Sequence, residues 1–397
     1  MRLATGTDGG ALEQFRSAQH LAGAIAHLRG HVEERDFFNQ PSHYVHLGNC
    51  TLKFEPDGSK FSVEEFSPAH RSRNRSPINY DPEATCPEFA QTILGHVKEE
   101  DRLLMQKYAG QCLLGRNLTQ RFVILDGVGN ASKGAFVLIL NGVVGPKNVY
   151  ELRPKMLDER FEVGRMIGRT LLVGSDVKGD FLNGPGGYRI KSYVGGDPLE
   201  GETKGSNARF TVYGVFNLLI TSNSRLCIYL DGDQSAWERR LIIIRYDKPF
   251  EGPRIFEIDK YLLAREAPGI LNWCIQGLSM LFQDYAQAGD IIFTPDQRRR
   301  VSDLLSESDS LRIFITGEIV RDDTPLGNGE SHSLSTEEII TEYIENCVKV
   351  KQWTPLPYVV AEKRLPDLMI RYLGAARSNS LKRNGKYKRG FWNVRWN

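Results

Sequence analysis

Paired cysteines are missing from this sequence. The six present (Cys50, Cys86, Cys112, Cys227, Cys274 and Cys347) lie far apart with no CxxC among them, which argues against a zinc ribbon and against a disulfide framework. Reduced, partly buried thiols of a cytoplasmic protein fit them better. No apolar run approaches the ~20 residues that a membrane-spanning helix needs. The opening residues, MRLATGTDGG, lack the apolar stretch of a secretory signal. Internal repeats are absent too. The expectation is a soluble cytoplasmic chain with no membrane partner, and 397 residues allow two to three domains.

The net charge of +2 hides an asymmetry. From Lys349 to the end, 12 Lys/Arg stand against 2 Asp/Glu, a net of +10, so the remaining chain nets −8. A basic tail of that size points to a polyanionic partner.

Along the chain, Gln14 to Glu34 reads as helical, and Asp57-Gly58 marks a hairpin. Pro87 suits the first turn of a helix whose apolar face carries Phe89, Ile93, Val97, Leu104 and Tyr108. Four short apolar strands follow, at Phe122–Leu125, Thr170–Val173, Asn217–Thr221 and Leu241–Ile244. Runs of this kind suit the middle of an α/β sheet covered on both faces. Residues 145–150 read as a loop. Ile258 to Phe314 reads as mostly helical. Ser335 to Glu338 is a capping box, and a second helix spans Val359 to Leu373. Asn384-Gly385 then gives a tight turn between two basic strands, a winged-helix pattern.

The segment LDGVGNASKGAF, Leu125 to Phe136, lies between a strand and a helix. Lys133 is spaced from Gly127 as in a phosphate-binding loop, where backbone N–H groups cradle the phosphates and the lysine reaches them. The motif fails twice, at Ser132 and at Gly134. Taken alone, the segment fits three readings: a phosphate loop, a structural glycine turn, or a dinucleotide fingerprint lacking its third glycine. Downstream, Asp176 ends one apolar run and Asn223 another; Arg239-Arg240 precede a third. An acid at a strand end manages Mg²⁺ and water in phosphoryl transfer, an amide orients water, and guanidinium suits transition-state charge. Each is also an ordinary surface or turn residue.

The ordered set, together with NYDPEATCPEF…YAGQCLLG, GDFLNGPGGYRIKSYVGGDPL and SESDSLRIFI, resembles superfamily 3 helicases of the phage and plasmid primase–helicase type, over nearly the whole chain. The resemblance implies an α/β fold: an AAA+-like P-loop ATPase core at 116–255, a mainly helical, oligomerising region at 1–115, a helical segment at 256–331, and a basic winged-helix domain at 332–397.

It also implies roles. The Walker A loop is Gly127, Val128, Gly129, Asn130, Ala131, Ser132, Lys133, Gly134 and Ala135, binding ATP. Asp176 matches the Walker B acid and holds Mg²⁺, directly or through water with Ser175. Asn223 matches the sensor asparagine. Arg240 matches the arginine finger supplied by a neighbouring subunit, with Arg239 as the fallback, and Lys191 the residue that senses the γ-phosphate. Lys204 and Arg209 fall on the pore hairpin; Arg377, Lys382, Arg383, Lys386, Lys388 and Arg389 fall in or beside the basic hairpin that touches duplex or forked DNA. The assembly implied is a homo-oligomeric ring, a hexamer, moving on single-stranded DNA. Relatives often carry a primase domain, for which this chain leaves no room before its helical segment, so it reads equally as a stand-alone helicase, a fragment, or the partner of a separate primase. Gly134 removes the hydroxyl that would ligate Mg²⁺, and Ser132 narrows backbone freedom. A nucleotide-gated DNA-binding ring that does not hydrolyse therefore stands beside the helicase as a rival, and an origin-binding or loader module whose working part is the winged helix is another.

Overall fold

The structure is a computed structural model that describes residues 18–397 except 33–42, 73, 183–184, 203–208, 225, 227, 229, 231–232, 251, 253–254, 326–330, 352–354 and 384. The chain divides into two units. The smaller, residues 1–42 and 67–73, contains helix α1 (Ala18–Val32) in its described part. The sequence predicts a helix over 14–34, of which 14–17 and 33–34 lie outside the described residues.

The larger unit opens with a three-stranded antiparallel sheet: β1 (Tyr44–His46), β2 (Thr51–Phe54) and β3 (Phe61–Glu64). Gly58, at φ 69°, sits in the β2–β3 connection, where the hairpin signal lay. Helices α2 (Pro87–Thr92) and α3 (Glu99–Leu114) follow, with Pro87 in the first turn of α2. The single helix read from the sequence is thus two, broken across residues 93–98, although Phe89, Ile93, Val97, Leu104 and Tyr108 are all buried.

Then comes the central sheet. Strand β4 (Phe122–Gly127) leads into α4 (Lys133–Val144); β5 (Val149–Glu151) and the short α5 (Glu162–Arg165) precede β6 (Leu171–Gly174). Helix α6 (Pro185–Gly195), an antiparallel pair β7 (Pro198–Glu202) and β8 (Arg209–Tyr213), then β9 (Asn217–Ser222), α7 (Gln234–Glu238) and β10 (Leu241–Tyr246) complete it. The five parallel strands stand in the order β10-β4-β9-β6-β5. Strand β5 corrects the loop reading of 145–150. It is a three-residue edge strand without a fully buried side chain, too short and too polar to show periodicity.

Side chains alternate across a strand, so each apolar run serves two cores. Val123, Leu125, Leu219, Ile242 and Ile244 face a core shared with α3, α4 and the 31-residue α8 (Ile258–Ala288). Phe122, Ile124, Leu218, Ile220 and Ile243 face the other, shared with α6, α7 and α9 (Pro295–Ser308). The first core is continuous from α3 along one face of the sheet to α4 and α8. Helices α3 and α8 touch backbone to backbone: a Cβ on Gly277 would stand 1.9 Å from the Gln106 carbonyl oxygen. Arg300 on α9, nearly buried, bonds the fully buried Asp101 of α3 at 2.6 Å and Asp296 at 2.6 Å.

The C-terminal part packs α10 (Ser310–Glu318), α11 (Thr336–Glu345) and α12 (Tyr358–Leu373) round a third core with Leu311, Ile315, Ile340, Tyr343, Leu365 and Phe391. Its strands are β11 (Ile319–Arg321), β12 (Ser333–Ser335), β13 (Ala376–Arg383), β14 (Lys386–Trp392) and β15 (Val394–Trp396). The Ser335 capping box forms as read: its hydroxyl accepts from Glu338 N, and Glu338 accepts from Ser335 N.

Candidate functional site

The loop between β4 and α4 is held by its neighbours. Val128 N donates to the Tyr246 carbonyl at 3.0 Å, and Phe250 N to the Asn130 carbonyl at 2.8 Å. Gly127 has φ 136°, and a Cβ there would meet the Tyr246 oxygen at 2.2 Å, so glycine is needed for close approach to β10. Asn130 (φ 57°) and Ser132 (φ 63°) adopt left-handed backbone, uncommon outside glycine. Ser132 caps α4 without a side-chain hydrogen bond, so the first N–H groups of the helix keep their capacity for an outside acceptor. That end also carries the positive pole of the helix dipole, a setting for an anion. A Cβ on Gly129 or Gly134 would meet nothing within 4 Å. Lys133 is buried and turns back on the loop, its Nζ donating to the carbonyls of Gly127 at 2.7 Å and Val128 at 2.6 Å. Burial lowers its pKa below the lysine range, against the opposing pull of Asp126 and Asp176.

The carboxyl ends of four adjacent parallel strands meet here, the usual ligand position in open α/β sheets. Lys133 follows β4, Asn223 follows β9, Asp176 lies two residues beyond β6, and Glu151 ends β5. They line one cleft of about 370 Å³, with Asn130, Ala131, Ser132, Gly134, Ser175 and Thr221. Asp176 is left-handed at φ 47°, fixed by its N–H donating to Thr221 Oγ1 at 2.7 Å. Asn223 Nδ2 donates to Asp176 Oδ1 at 2.7 Å. Glu151 Oε1 accepts from Ser175 N at 3.1 Å. Glu151 and Thr221 escaped the sequence reading. Thr221 stands two residues before Asn223 on the same strand end; Glu151 sits in the segment taken for a loop.

No family model matches the chain, and no curated protein matches it. Among solved structures it is similar to the A form apo structure of the NrS-1 C terminal region (305-718), at 12% identity and TM-score 0.49, covering 96% of this chain and 91% of that one. Another A form apo structure of that region gives 13%, 0.44, 95% and 91% in the same order. A further apo structure of it gives 13%, 0.42, 79% and 77%. The architecture itself, a mixed α/β fold with a five-stranded parallel sheet, is compatible with a nucleotide-binding core. Among the described residues no helix is long and apolar enough to cross a membrane.

The donor set fits a nucleotide phosphate: helix N–H groups, one lysine and open space at two glycines. It offers a divalent cation the Asp176 and Glu151 carboxylates and the Ser175 hydroxyl. The described residues hold no group of three or more metal-binding side chains, and Mg²⁺ beside phosphates needs only one or two carboxylates.

Lys191, Arg239 and Arg240 are not brought to this cleft. Lys191 is paired with Asp233, its Nζ lying 4.5 Å from the Tyr188 ring centre and 4.9 Å from that of Trp237. Arg240 is buried, its Nη1 donating to the Ala236 carbonyl at 2.9 Å. Burial, with repulsion from Arg239, lowers its pKa; Asp197 and Asp233 pull the other way. Arg239 is exposed.

Lys204 lies outside the described residues. Arg209 begins β8 opposite Glu202. Of the C-terminal cations, Lys388 bonds Glu337 at 2.5 Å and Arg383 bonds Glu338 at 3.2 Å, both acids on α11. Arg377, Lys382, Lys386 and Arg389 are exposed, with no ion pair among the described residues.

Proposed function

We propose that the chain is an ATP-driven DNA translocase, a helicase working as a ring with ATP at the subunit interfaces. One observation carries this reading: Lys133, Asp176 and Asn223, far apart in sequence, line one cleft at the carboxyl ends of β4, β6 and β9. In this reading the β4–α4 loop is a P-loop. Its backbone N–H groups and Lys133 hold the phosphates, so Lys133 exchanges the Gly127 and Val128 carbonyls for phosphate oxygens. Asp176, with Ser175, holds Mg²⁺, and Asn223 fixes the Asp176 carboxylate and orients water beside it. Bound ATP with Mg²⁺ supplies the phosphoryl group and the cation that offsets its charge.

The exposed Arg239 suits a finger reaching a neighbouring subunit's nucleotide better than the buried Arg240 does, and Lys191 lies near them. The α10–α12 helices with the β13–β14 hairpin serve as a winged-helix module contacting DNA. DNA-stimulated ATP turnover in the wild type, lost in Lys133→Ala, tests the proposal; absence of turnover in an assembled, DNA-binding wild type refutes it.

A second reading has its own observation. Gly134 offers no hydroxyl, and Lys133 is already satisfied by its own loop. A ring that binds nucleotide and DNA without hydrolysis accounts for both, and the same assay separates the two.

A further inference from the structure

Of the six cations assigned in or beside the basic hairpin, the five nearest its turn do not form one surface. Directly opposed residues of an antiparallel pair share a face, and alternate residues repeat it. Arg383 opposes Lys386, and Lys388 follows two residues on; Lys382 opposes Tyr387, and Arg389 follows two residues on. The first set is largely neutralised. Lys388 and Arg383 are held by Glu337 and Glu338 of α11. The second set has no acidic partner among the described residues, and between its cations stands Tyr387, 74% exposed.

One exposed tyrosine alone means little. Its position means more: a flat π-face directly across from an unneutralised ammonium, with a guanidinium two residues along, on the side away from the α11 carboxylates. Alternating aromatic and cationic groups match the repeat of a single nucleic-acid strand, whose bases stack and whose phosphates need counter-charge. Duplex DNA has no free base face to offer.

We propose that the Lys382–Tyr387–Arg389 face binds single-stranded DNA, with the Tyr387 ring stacked on an unpaired base and Lys382 and Arg389 on the flanking phosphates. This rests on the DNA reading above and deepens it: the hairpin would take the unpaired strand at a fork rather than only the duplex.

The test uses the full chain and a fluorescent single-stranded oligonucleotide titrated at several salt concentrations. Tyr387→Ala is expected to weaken binding about tenfold by the same factor at every salt concentration, because stacking releases no counterions. Tyr387→Phe should bind like wild type. The double variant Lys382→Ala/Arg389→Ala should instead flatten the salt dependence. Ultraviolet irradiation with a 5-iodouracil-substituted strand should give an adduct at Tyr387. If Tyr387→Ala binds like wild type and Tyr387 carries no adduct, while the double variant is weakened, stacking is wrong and the DNA reading stands. If neither variant weakens binding and Tyr387 carries no adduct, this face of the hairpin does not contact DNA, which overturns the present proposal, while the translocase reading stands or falls by the turnover assay.

Discussion

Asn223 donates its amide to the Asp176 carboxylate at 2.7 Å, tying the end of β9 to the end of β6. The bond leaves the second Asp176 oxygen to a cation or water and sets where that carboxylate points. Asn223→Ala is therefore expected to keep nucleotide binding and lose turnover by about 100-fold, the scale seen when one positioned donor is removed. Phosphate release, measured beside binding of a fluorescent nucleotide, checks it. Equal loss of both would make Asn223 a structural residue.

The four central strands were legible because their residues are apolar on both faces, the mark of a sheet covered by helices. The edge strand β5 was not, because an edge strand of two half-buried residues and one exposed one has no burial pattern to read. That omission hid Glu151, the second carboxylate of the cleft. The site's first members, Lys133, Asp176 and Asn223, were legible as strand-end residues in order. Thr221 was not, since its role is to hold the Asp176 backbone, a tertiary contact without sequence periodicity. Spacing ranks Arg240 above Arg239 as the finger, whereas burial, which spacing does not carry, leaves Arg239 as the exposed one of the pair.

Glu151 closes the cleft on the side of β5 and accepts from Ser175 N. Replacing its charge keeps the acceptor oxygen, so Glu151→Gln should fold normally. If Glu151 helps hold Mg²⁺ or polarise water, turnover should fall about 100-fold or more, on the scale of general acid–base effects, with the Mg²⁺ optimum moved higher. A Mg²⁺ titration of the ATPase rate is the measurement. An unchanged curve would leave Glu151 a brace for the Ser175 turn.

Arg239 and Arg240 should part company. Arg240 is buried and bonded to Ala236, so Arg240→Ala is expected to lower thermal stability, by about 1–3 kcal/mol. Arg239 is exposed, so Arg239→Ala should melt like wild type yet lose DNA-stimulated turnover. Mixing Arg239→Ala with Lys133→Ala subunits should restore part of that activity, since each supplies what the other lacks across an interface. Failure of the mixture to recover activity would remove Arg239 from the interface role.

Lys133 carries a pKa below the lysine range because burial disfavours its charge. A cation with a lowered pKa loses its proton sooner as pH rises. Nucleotide affinity should therefore be full near neutrality and weaken on the alkaline side, earlier than an ordinary lysine would allow. Lys133→Ala should be weak and flat over the same range. Titrations of a fluorescent nucleotide between neutral and alkaline pH read this directly.

Gly134 sits in the first turn of α4, where a Cβ would meet nothing within 4 Å. Its positive-φ neighbour is Ser132; Gly134 itself is helical, so a side chain there is not strained. Gly134→Thr restores a hydroxyl beside Lys133, in the place where phosphate-binding loops ligate Mg²⁺. Gly134→Ala adds the same Cβ and reduces backbone entropy without the hydroxyl, worth up to ~1 kcal/mol of stability. If the missing hydroxyl limits the site, Thr should raise Mg²⁺-dependent turnover several-fold while Ala raises only the melting temperature. If both leave turnover unchanged from an already active wild type, the loop works without that ligand, and Asp176, Ser175 and Glu151 suffice. If Thr gives turnover to an inactive wild type, the non-hydrolysing reading holds for the natural sequence, and its cause lies at one glycine.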